Sequence, residues 1–205
     1  LSENFDFSPI IAKFALNIDS MESTNSLIAL NTGYSKLLCY QKSVVIFDLT
    51  HHFCNRFIEK RDRTYDQMIQ AARSGKQNIV EGCIDMATST ASGLMLLNVA
   101  RGSIRELLED YSDYIRVHNG DLWATGSKEF KAAQRIGREN TESKYFIKLS
   151  ETRSDIVVAN IIIVLIKQCD YLIFNLIEAL TKKFTSEGGF KERMFHARIE
   201  KRGKE

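Results

Sequence analysis

The sequence contains only one proline in 205 residues, against an average usage of about 5%. Proline ends or kinks a helix because it lacks the amide hydrogen and clashes with the preceding turn. Its scarcity therefore indicates long, uninterrupted helices. Segments of alternating polarity that would suggest strands are also missing, and no internal repeat is present. These absences favour an all-α protein.

Cysteine is sparse and widely spread, and none of the four residues forms a C-x-x-C pair. The cysteines are Cys39, Cys54, Cys83 and Cys169. The first apolar run does not resemble a secretion signal, since it contains Lys13 and lacks a small-residue cleavage site. These features predict reduced, buried thiols in a cytoplasmic protein rather than a disulfide framework.

The sequence offers little metal-binding or catalytic chemistry. His51, His52 and Cys54 lie close together, but on a helix His52 points away from the other two, and no second ligand pair follows at a usual spacing. Carboxylates such as Glu109 are interspersed with arginines, which indicates a solvated helix face rather than a di-iron site. We therefore expect no metal site, no cofactor and no enzymatic activity.

Apolar residues recur at helical spacing along most of the chain. The pattern predicts long helices over residues 34–59, 62–86, 94–117 and 152–185, with helix-capping residues in "TSTASG" before the third. "KEFKAAQRIGRE", residues 128–139, is predicted to be a short exposed helix inserted between the third and fourth long helices.

Four long helices with mostly short connections predict an antiparallel up-down four-helix bundle. The bundle is expected to span residues 34–187. Residues 1–33 would form an N-terminal arm, and residues 188–205 a basic C-terminal tail. The last fifteen residues hold six basic and three acidic side chains.

The fourth long helix contains "IVVANIIIVLI", residues 156–166, in which Asn160 is the single polar residue. Lys167 and Asp170 follow it, so the run is too short to cross a membrane, which takes about 20 residues. A helix that is apolar all round must be covered all round. In a four-helix monomer about half of it would face water, forfeiting roughly 8–15 kcal/mol, as much as a domain's whole stability.

This argument predicts that copies of the chain assemble as a homo-oligomer through the fourth long helix. The candidate interface residues are Ile156, Val157, Ile161, Ile162, Val164 and Leu165. In the alternative interpretation, the segment 127–147 or the N-terminal arm folds over this helix instead.

The stretch "QAARSGKQNIVEG", residues 70–82, places Gly75 and Lys76 inside the second long helix. Glycine weakens a helix by about 1 kcal/mol relative to alanine, so a close approach of another helix or a bend is expected there. Lys76 falls on the apolar stripe. It either lays its stem over apolar surface or faces a ligand. "SGKQ" lacks the glycine and the Ser or Thr of a phosphate-binding P-loop.

Two motifs resemble a known family. "AARSGKQNIVEG" is similar to the Arg-Ala-Ala…Asn-Ile-x-Glu-Gly signature of a bacterial four-helix-bundle family, which includes proteins encoded in intervening sequences of large-subunit ribosomal RNA genes. "ARGSIREL" resembles the Ala-x-Gly-Ser-x-x-Glu-Leu motif on the family's next helix. The ending "FTSEGGFKERMFHARIEKR" resembles variants with a C-terminal suffix. The motif positions expected to be structural are Asn78, Glu81, Gly82, Gly102, Ser103 and Glu106.

The resemblance implies a bundle that often assembles as a ring, commonly of five subunits. Accessory proteins of diversity-generating retroelements, which resemble this family, bind nucleic acid and reverse transcriptase through a basic surface. No enzymatic activity is implied. On this pattern Gly102 and Ser103 would pack closely against the helix bearing Ala71, Ala72 and Ser74. Asn78 and Glu81 would tie helices together or, alternatively, face a ligand.

The function predicted from the sequence is binding of RNA or DNA through phosphate contacts, with Phe190 and Phe195 available to stack on bases. The alternatives are a protein–protein interaction scaffold and solvated charges without a ligand. The candidate nucleic-acid-binding residues are Arg61, Arg63, Arg73, Lys76, Arg101, Arg105, Lys182, Lys183, Lys191, Arg193, Arg198, Lys201 and Arg202.

Overall fold

The computed structural model describes residues 33–187 and Ile199. Within these residues the chain is helical, with a 3₁₀ turn at Tyr34–Lys36 and no strand. The α-helices are α1 (Leu38–Phe57), α2 (Arg63–Asp85), α3 (Thr90–Val117), α4 (Lys128–Glu139), α5 (Ser143–Glu151) and α6 (Asp155–Glu187). The expectation of an all-α protein is confirmed. Apart from Gly33 and Ile199, the predicted arm 1–33 and tail 188–205 lie outside the described residues.

Polar side chains cap the first turns of two of the long helices, α2 and α3. Asp62 precedes α2 and accepts a hydrogen bond from the Thr64 amide at 2.9 Å. Ser89 precedes α3 and accepts one from the Ser92 amide at 3.3 Å. These side chains satisfy amides that have no partner within the helix. α3 ends where Asn119 adopts a left-handed φ of 53°, a conformation that asparagine tolerates better than most residues.

The long helices pack in a cycle: α1 against α2, α2 against α3, α3 against α6, and α6 against α1. Contacts between successive long helices pair the early part of one with the late part of the other. On α3 and α6, for example, Arg101 contacts Asp170 while Tyr114 contacts Asp155. α4 packs on α6 and α5 packs on α1. The two short helices therefore lie over the α1–α6 side of the core.

Close packing of α2 against α3 depends on glycines. A Cβ added to Gly93 would lie 2.7 Å from the Gly82 carbonyl oxygen, and one added to Gly82 would lie 3.0 Å from the Gly93 carbonyl oxygen. Farther along, a Cβ on Gly75 would lie 2.6 Å from Ile104 Cγ1. The expectation of a close approach at Gly75 is confirmed: α3 presses against α2 at this point.

The other family-motif residues do not make this contact. Glu81, Gly102 and Glu106 are exposed and Ser103 is half-buried. A Cβ on Gly102 would meet nothing within 4 Å, so the hypothesis that this glycine packs closely is wrong. Asn78 donates to the Ser74 carbonyl at 2.9 Å within its own helix. The α2–α3 crossing instead lies farther along, at Gly82 and Gly93.

The apolar surface of α6 is covered by this same chain. Ile161, Ile162, Val164 and Leu165 are buried, and Ile156 and Val157 are half-buried. α4 packs along α6, where a Cβ on Gly137 would lie 2.9 Å from Leu165 Cδ2. The premise that half of this helix would face water is therefore wrong, and the four buried residues offer no surface to another copy. The alternative interpretation is confirmed in part: α4, within the segment 127–147, folds over the helix, whereas the N-terminal arm lies outside the described residues.

The length of α6 also corrects an expectation. Asp155–Thr185 is long and apolar enough to cross a membrane, and the mean hydropathy of its most apolar part is 2.0. The sequence argument, which used the length of the run and the charges of Lys167 and Asp170 after it, therefore does not by itself exclude a membrane span. However, 72% of the most apolar part of this helix is buried against the rest of the chain. Such burial is typical of the core helix of a folded domain.

Candidate nucleic-acid interface

The structure does not gather the predicted basic residues into one surface. Arg101 donates to Asp170 at 2.8 Å and Arg105 donates to the same carboxylate at 3.0 Å. Arg101 also lies over the Phe174 ring, with its guanidinium carbon 5.0 Å from the ring centroid. These two arginines join α3 to α6. Because they share one carboxylate, the group keeps a net positive charge, carried mainly by the exposed Arg105 side chain.

Arg61 and Arg63 are next to Asp62 in the chain, which lines an acidic cavity of about 560 Å³ where α1, α2 and α3 end or begin. Its rim includes Glu59, Asp62, Asp110 and Asp113, beside apolar side chains such as Val117. Burial raises the pKa of the Asp110 carboxyl, and the neighbouring charges of Glu106 and Asp113 raise it further. These carboxylates repel phosphate, so the cavity itself is poorly suited to nucleic acid.

The remaining predicted residues are scattered. Arg73 is exposed on α2. Lys76 lays its stem over apolar surface, and its ammonium lies 4.4 Å from the Phe47 ring centroid. Lys182 and Lys183 are near the end of α6, roughly 40 Å along the helix from its start at a rise of 1.5 Å per residue. Lys191, Arg193, Arg198, Lys201 and Arg202 lie outside the described residues.

The structure instead reveals a basic surface that the sequence interpretation missed. Its six exposed residues, which we name the α4–α5 basic face, are Lys128, Lys131, Arg135, Arg138, Lys144 and Lys148. The first four are spaced by three, four and three residues, so they fall within roughly 80° around α4. They extend about 15 Å along α4. This equals the axial length of about four phosphates of one strand in a double helix.

Each short helix buries the side opposite its charged residues, and this burial fixes the orientation of the helix. Ser127 caps α4 by accepting from the Phe130 amide at 3.1 Å, and Phe130, Ala133 and Gly137 are buried. In α5, Phe146 is buried and the adjacent Tyr145 is exposed. Because both helices lie over the α1–α6 side of the core, their charged surfaces point outward on the same side of the molecule.

Buried polar contacts hold α4 in place. Lys42, on α1, donates to the Gly137 carbonyl, and Gln168, on α6, donates to the Gln134 carbonyl at 2.8 Å. The last carbonyls of a helix lack intrahelical donors and carry its negative end. An ammonium beside them both satisfies one carbonyl and fixes the rotation of the helix, and with it the direction of the basic face.

Burial lowers the pKa of the Lys42 ammonium from 10.5 to about 8, and the nearby Cys169 opposes this shift. Between these two pH values the unfolded chain keeps a proton that the folded chain has lost, so rising pH favours folding. We expect the free energy of unfolding of the native protein, relative to Lys42→Met, to increase by about 3 kcal/mol between pH 8 and pH 10.5. Urea denaturation at several pH values measures it.

The comparison with Lys42→Met is necessary because buried thiols act in the opposite direction. Burial raises the pKa of Cys54, Cys83 and Cys169 to about 12 from an ordinary value of 9.0. Those groups reduce stability as pH rises above 9. The effects of Cys54 and Cys83 are common to the native protein and the variant, whereas Lys42 itself lowers the pKa of Cys169. Parallel stability curves for the two proteins would show that Lys42 keeps its charge in the fold.

Comparison of the chain with protein-family models, with curated proteins and with solved structures finds no match. The resemblance to the intervening-sequence family therefore stays a prediction. Among the residues that the structure describes, no group of three or more His, Cys, Asp or Glu side chains is placed to hold a metal ion.

Proposed function

We propose that this chain is a non-enzymatic helical protein that binds RNA or DNA through phosphate contacts with the α4–α5 basic face. Exposed lysines and arginines at helical spacing are suited to the backbone of a strand, which attracts protein mainly through its charge. The single observation that supports the proposal is the stripe of Lys128, Lys131, Arg135 and Arg138 on an outward-facing helix.

The scaffold in this proposal is an antiparallel up-down four-helix bundle formed by α1, α2, α3 and α6. Two observations support this arrangement. The long helices pack in a closed cycle, and their contacts join the beginning of one helix to the end of its neighbour. Within such a bundle, α4 and α5 form the connection between the third and fourth long helices.

Replacing two central bases of the stripe tests the function. We expect Lys131→Gln together with Arg135→Gln to weaken RNA binding at low salt and to reduce the slope of log affinity against log salt by about two, since each lost phosphate contact reduces it by about one. Filter binding across a salt series measures both quantities.

The matched control neutralises the same residue types elsewhere. Lys36 and Arg116 are both exposed, and Arg116 pairs with Asp113 beside the acidic cavity. Lys36→Gln with Arg116→Gln changes net charge equally and should leave the salt slope intact. An equal loss in both variants would indicate non-specific attraction. If the native protein binds no RNA or DNA at low salt, the scaffold alternative is favoured, with Met95 and Val99 as exposed apolar contacts.

Assembly into a ring, which the family resemblance implies, is a separate proposal. Ile161, Ile162, Val164 and Leu165 of α6 do not support it, because they are buried within one chain. The α4–α5 basic face would be repeated in each copy of a ring and would gain affinity by multivalency. Light scattering that reports a 23.4 kDa particle at working concentration would exclude the ring without affecting phosphate binding by a monomer.

A further inference from the structure

A cavity of about 440 Å³ lies on the exposed side of α1, next to α5. We call it the α1 groove; it is lined by Phe47, Asp48, His51, His52, Asn55 and Ile147. Its volume is within the range of small-molecule sites. Five of its six residues come from two turns of α1, and Ile147 contributes the wall on α5.

The lining combines aromatic rings with hydrogen-bonding edges. His51 is exposed, and its Nδ1 lies 2.9 Å from Asn55 Nδ2. Asn55 Oδ1 in turn accepts from the Tyr65 hydroxyl at 2.8 Å. Since Asn55 is held at both ends, the His51 ring is oriented before any ligand arrives. A ring fixed in this way is suited to stacking against a flat molecule.

A second imidazole is chemically unsatisfied. His52 Nε2 is buried and has no hydrogen-bond partner in the described part of the chain. Because this nitrogen has almost no solvent exposure, a ligand in the open groove cannot reach it. On the same helix, Asp48 accepts from the Ser143 hydroxyl at 2.5 Å. The groove thus presents one acceptor group, the Asp48 carboxylate, to the edge of a ring.

Two lysines lie beside the groove, whose lining includes the Asp48 carboxylate. The Lys76 ammonium lies 4.4 Å from the Phe47 ring centroid, on the α2 side. On the α5 side, Lys144 is exposed and precedes Ile147 by one helical turn. Because Lys144 also belongs to the α4–α5 basic face, a strand bound on that face passes beside the groove.

We propose that the α1 groove receives a nucleobase splayed out of a single strand whose phosphates contact the α4–α5 basic face. This inference rests on the proposed function and specifies its ligand: single-stranded rather than duplex nucleic acid. The base stacks on His51 and presents its edge to the Asp48 carboxylate, while the exposed Lys144 neutralises the adjoining phosphate. A duplex keeps its bases stacked inside and cannot fill the groove.

Affinity for a short single-stranded RNA, compared with that for its duplex at the same salt, tests the groove. We expect His51→Ala to weaken single-strand binding by about five- to tenfold, from the loss of one stacked base, and to leave duplex binding unchanged. Phe47→Leu, which keeps apolar bulk, should act in the same direction. His118→Ala is the matched control, because that exposed histidine lines the acidic cavity instead.

Photochemical crosslinking provides a second readout. Irradiation of bound RNA carrying 4-thiouridine should place the adduct in the α1 peptide that contains residues 47–55. Three results would each overturn the groove while leaving phosphate binding intact. They are adducts confined to α4 or α5, equal affinity of the native protein for single strands and duplex, and variants that weaken binding to both forms equally. Absence of binding to either form would instead overturn the proposed function, and the groove with it.

Discussion

Gly93→Ala is expected to lower the free energy of unfolding by about 2 kcal/mol, although alanine is the better helix former. The propensity gain is about 1 kcal/mol. A steric cost opposes this gain, because the added Cβ would lie 2.7 Å from the Gly82 carbonyl oxygen and 2.8 Å from the Met86 side chain. Overpacking of this kind costs about 1–3 kcal/mol or more, because a backbone carbonyl can move only if the whole helix moves. We therefore expect the steric cost to exceed the gain in helix propensity.

Gly102→Ala provides the control for this prediction. Gly102 lies on the same helix as Gly93, but it is exposed and a Cβ there would meet no atom within 4 Å. The same substitution should therefore raise stability by about 0.5–1 kcal/mol. Chemical denaturation of the two variants should show shifts of opposite sign, and shifts of the same sign would contradict the glycine crossing of α2 and α3.

Asn160→Leu should lower the free energy of unfolding by about 3–5 kcal/mol. The Asn160 side chain is buried, accepts from the Trp123 amide at 2.8 Å and donates to the Asp121 carbonyl at 3.0 Å. Leucine would leave both loop groups without partners, at about 1–3 kcal/mol each, and would release the loop that covers Ile156, against which Gly120 packs.

Asn98→Leu is a suitable comparison for Asn160→Leu. Asn98 is exposed on α3, and its side chain donates to the Leu94 carbonyl of the same helix. Replacing it should change stability by less than about 0.5 kcal/mol. If Asn160→Leu and Asn98→Leu have the same melting temperature in a thermal scan, Asn160 does not hold the loop that contains Asp121 and Trp123.

Local signals in the sequence predicted the helices well. α4 begins and ends where its pattern indicated, because Ser127 caps it and its apolar residues recur at helical spacing. α5 was missed. It has nine residues, no side-chain cap and a strongly charged outer surface, so its helical form depends on packing against α1 rather than on its own sequence.

Longer-range relations could not be obtained from periodicity. The sequence showed that the apolar fourth helix needed cover on every side, but it could not show which segment supplied that cover. A helical projection also shows on which side of a helix a glycine lies. It does not show at which residues two helices cross. For this reason Gly102 was expected at a close contact that Gly82 and Gly93 make.

The candidate interface also combines a local sequence pattern with a contact between residues that are distant in the sequence. The three-four-three spacing of basic residues on α4 is a local pattern that the sequence shows directly. By contrast, the pairing of Arg101 and Arg105 with Asp170 joins residues about 65 positions apart, and no local pattern indicates it.

The four cysteines offer a consequence of a different kind. All are buried as free thiols, two of them on α1, one on α2 and one on α6. An alkylating reagent can reach each sulfur only when the surrounding helix opens. Mass spectrometry of partially labelled protein would thus report the order in which these three helices separate, with no engineered probe.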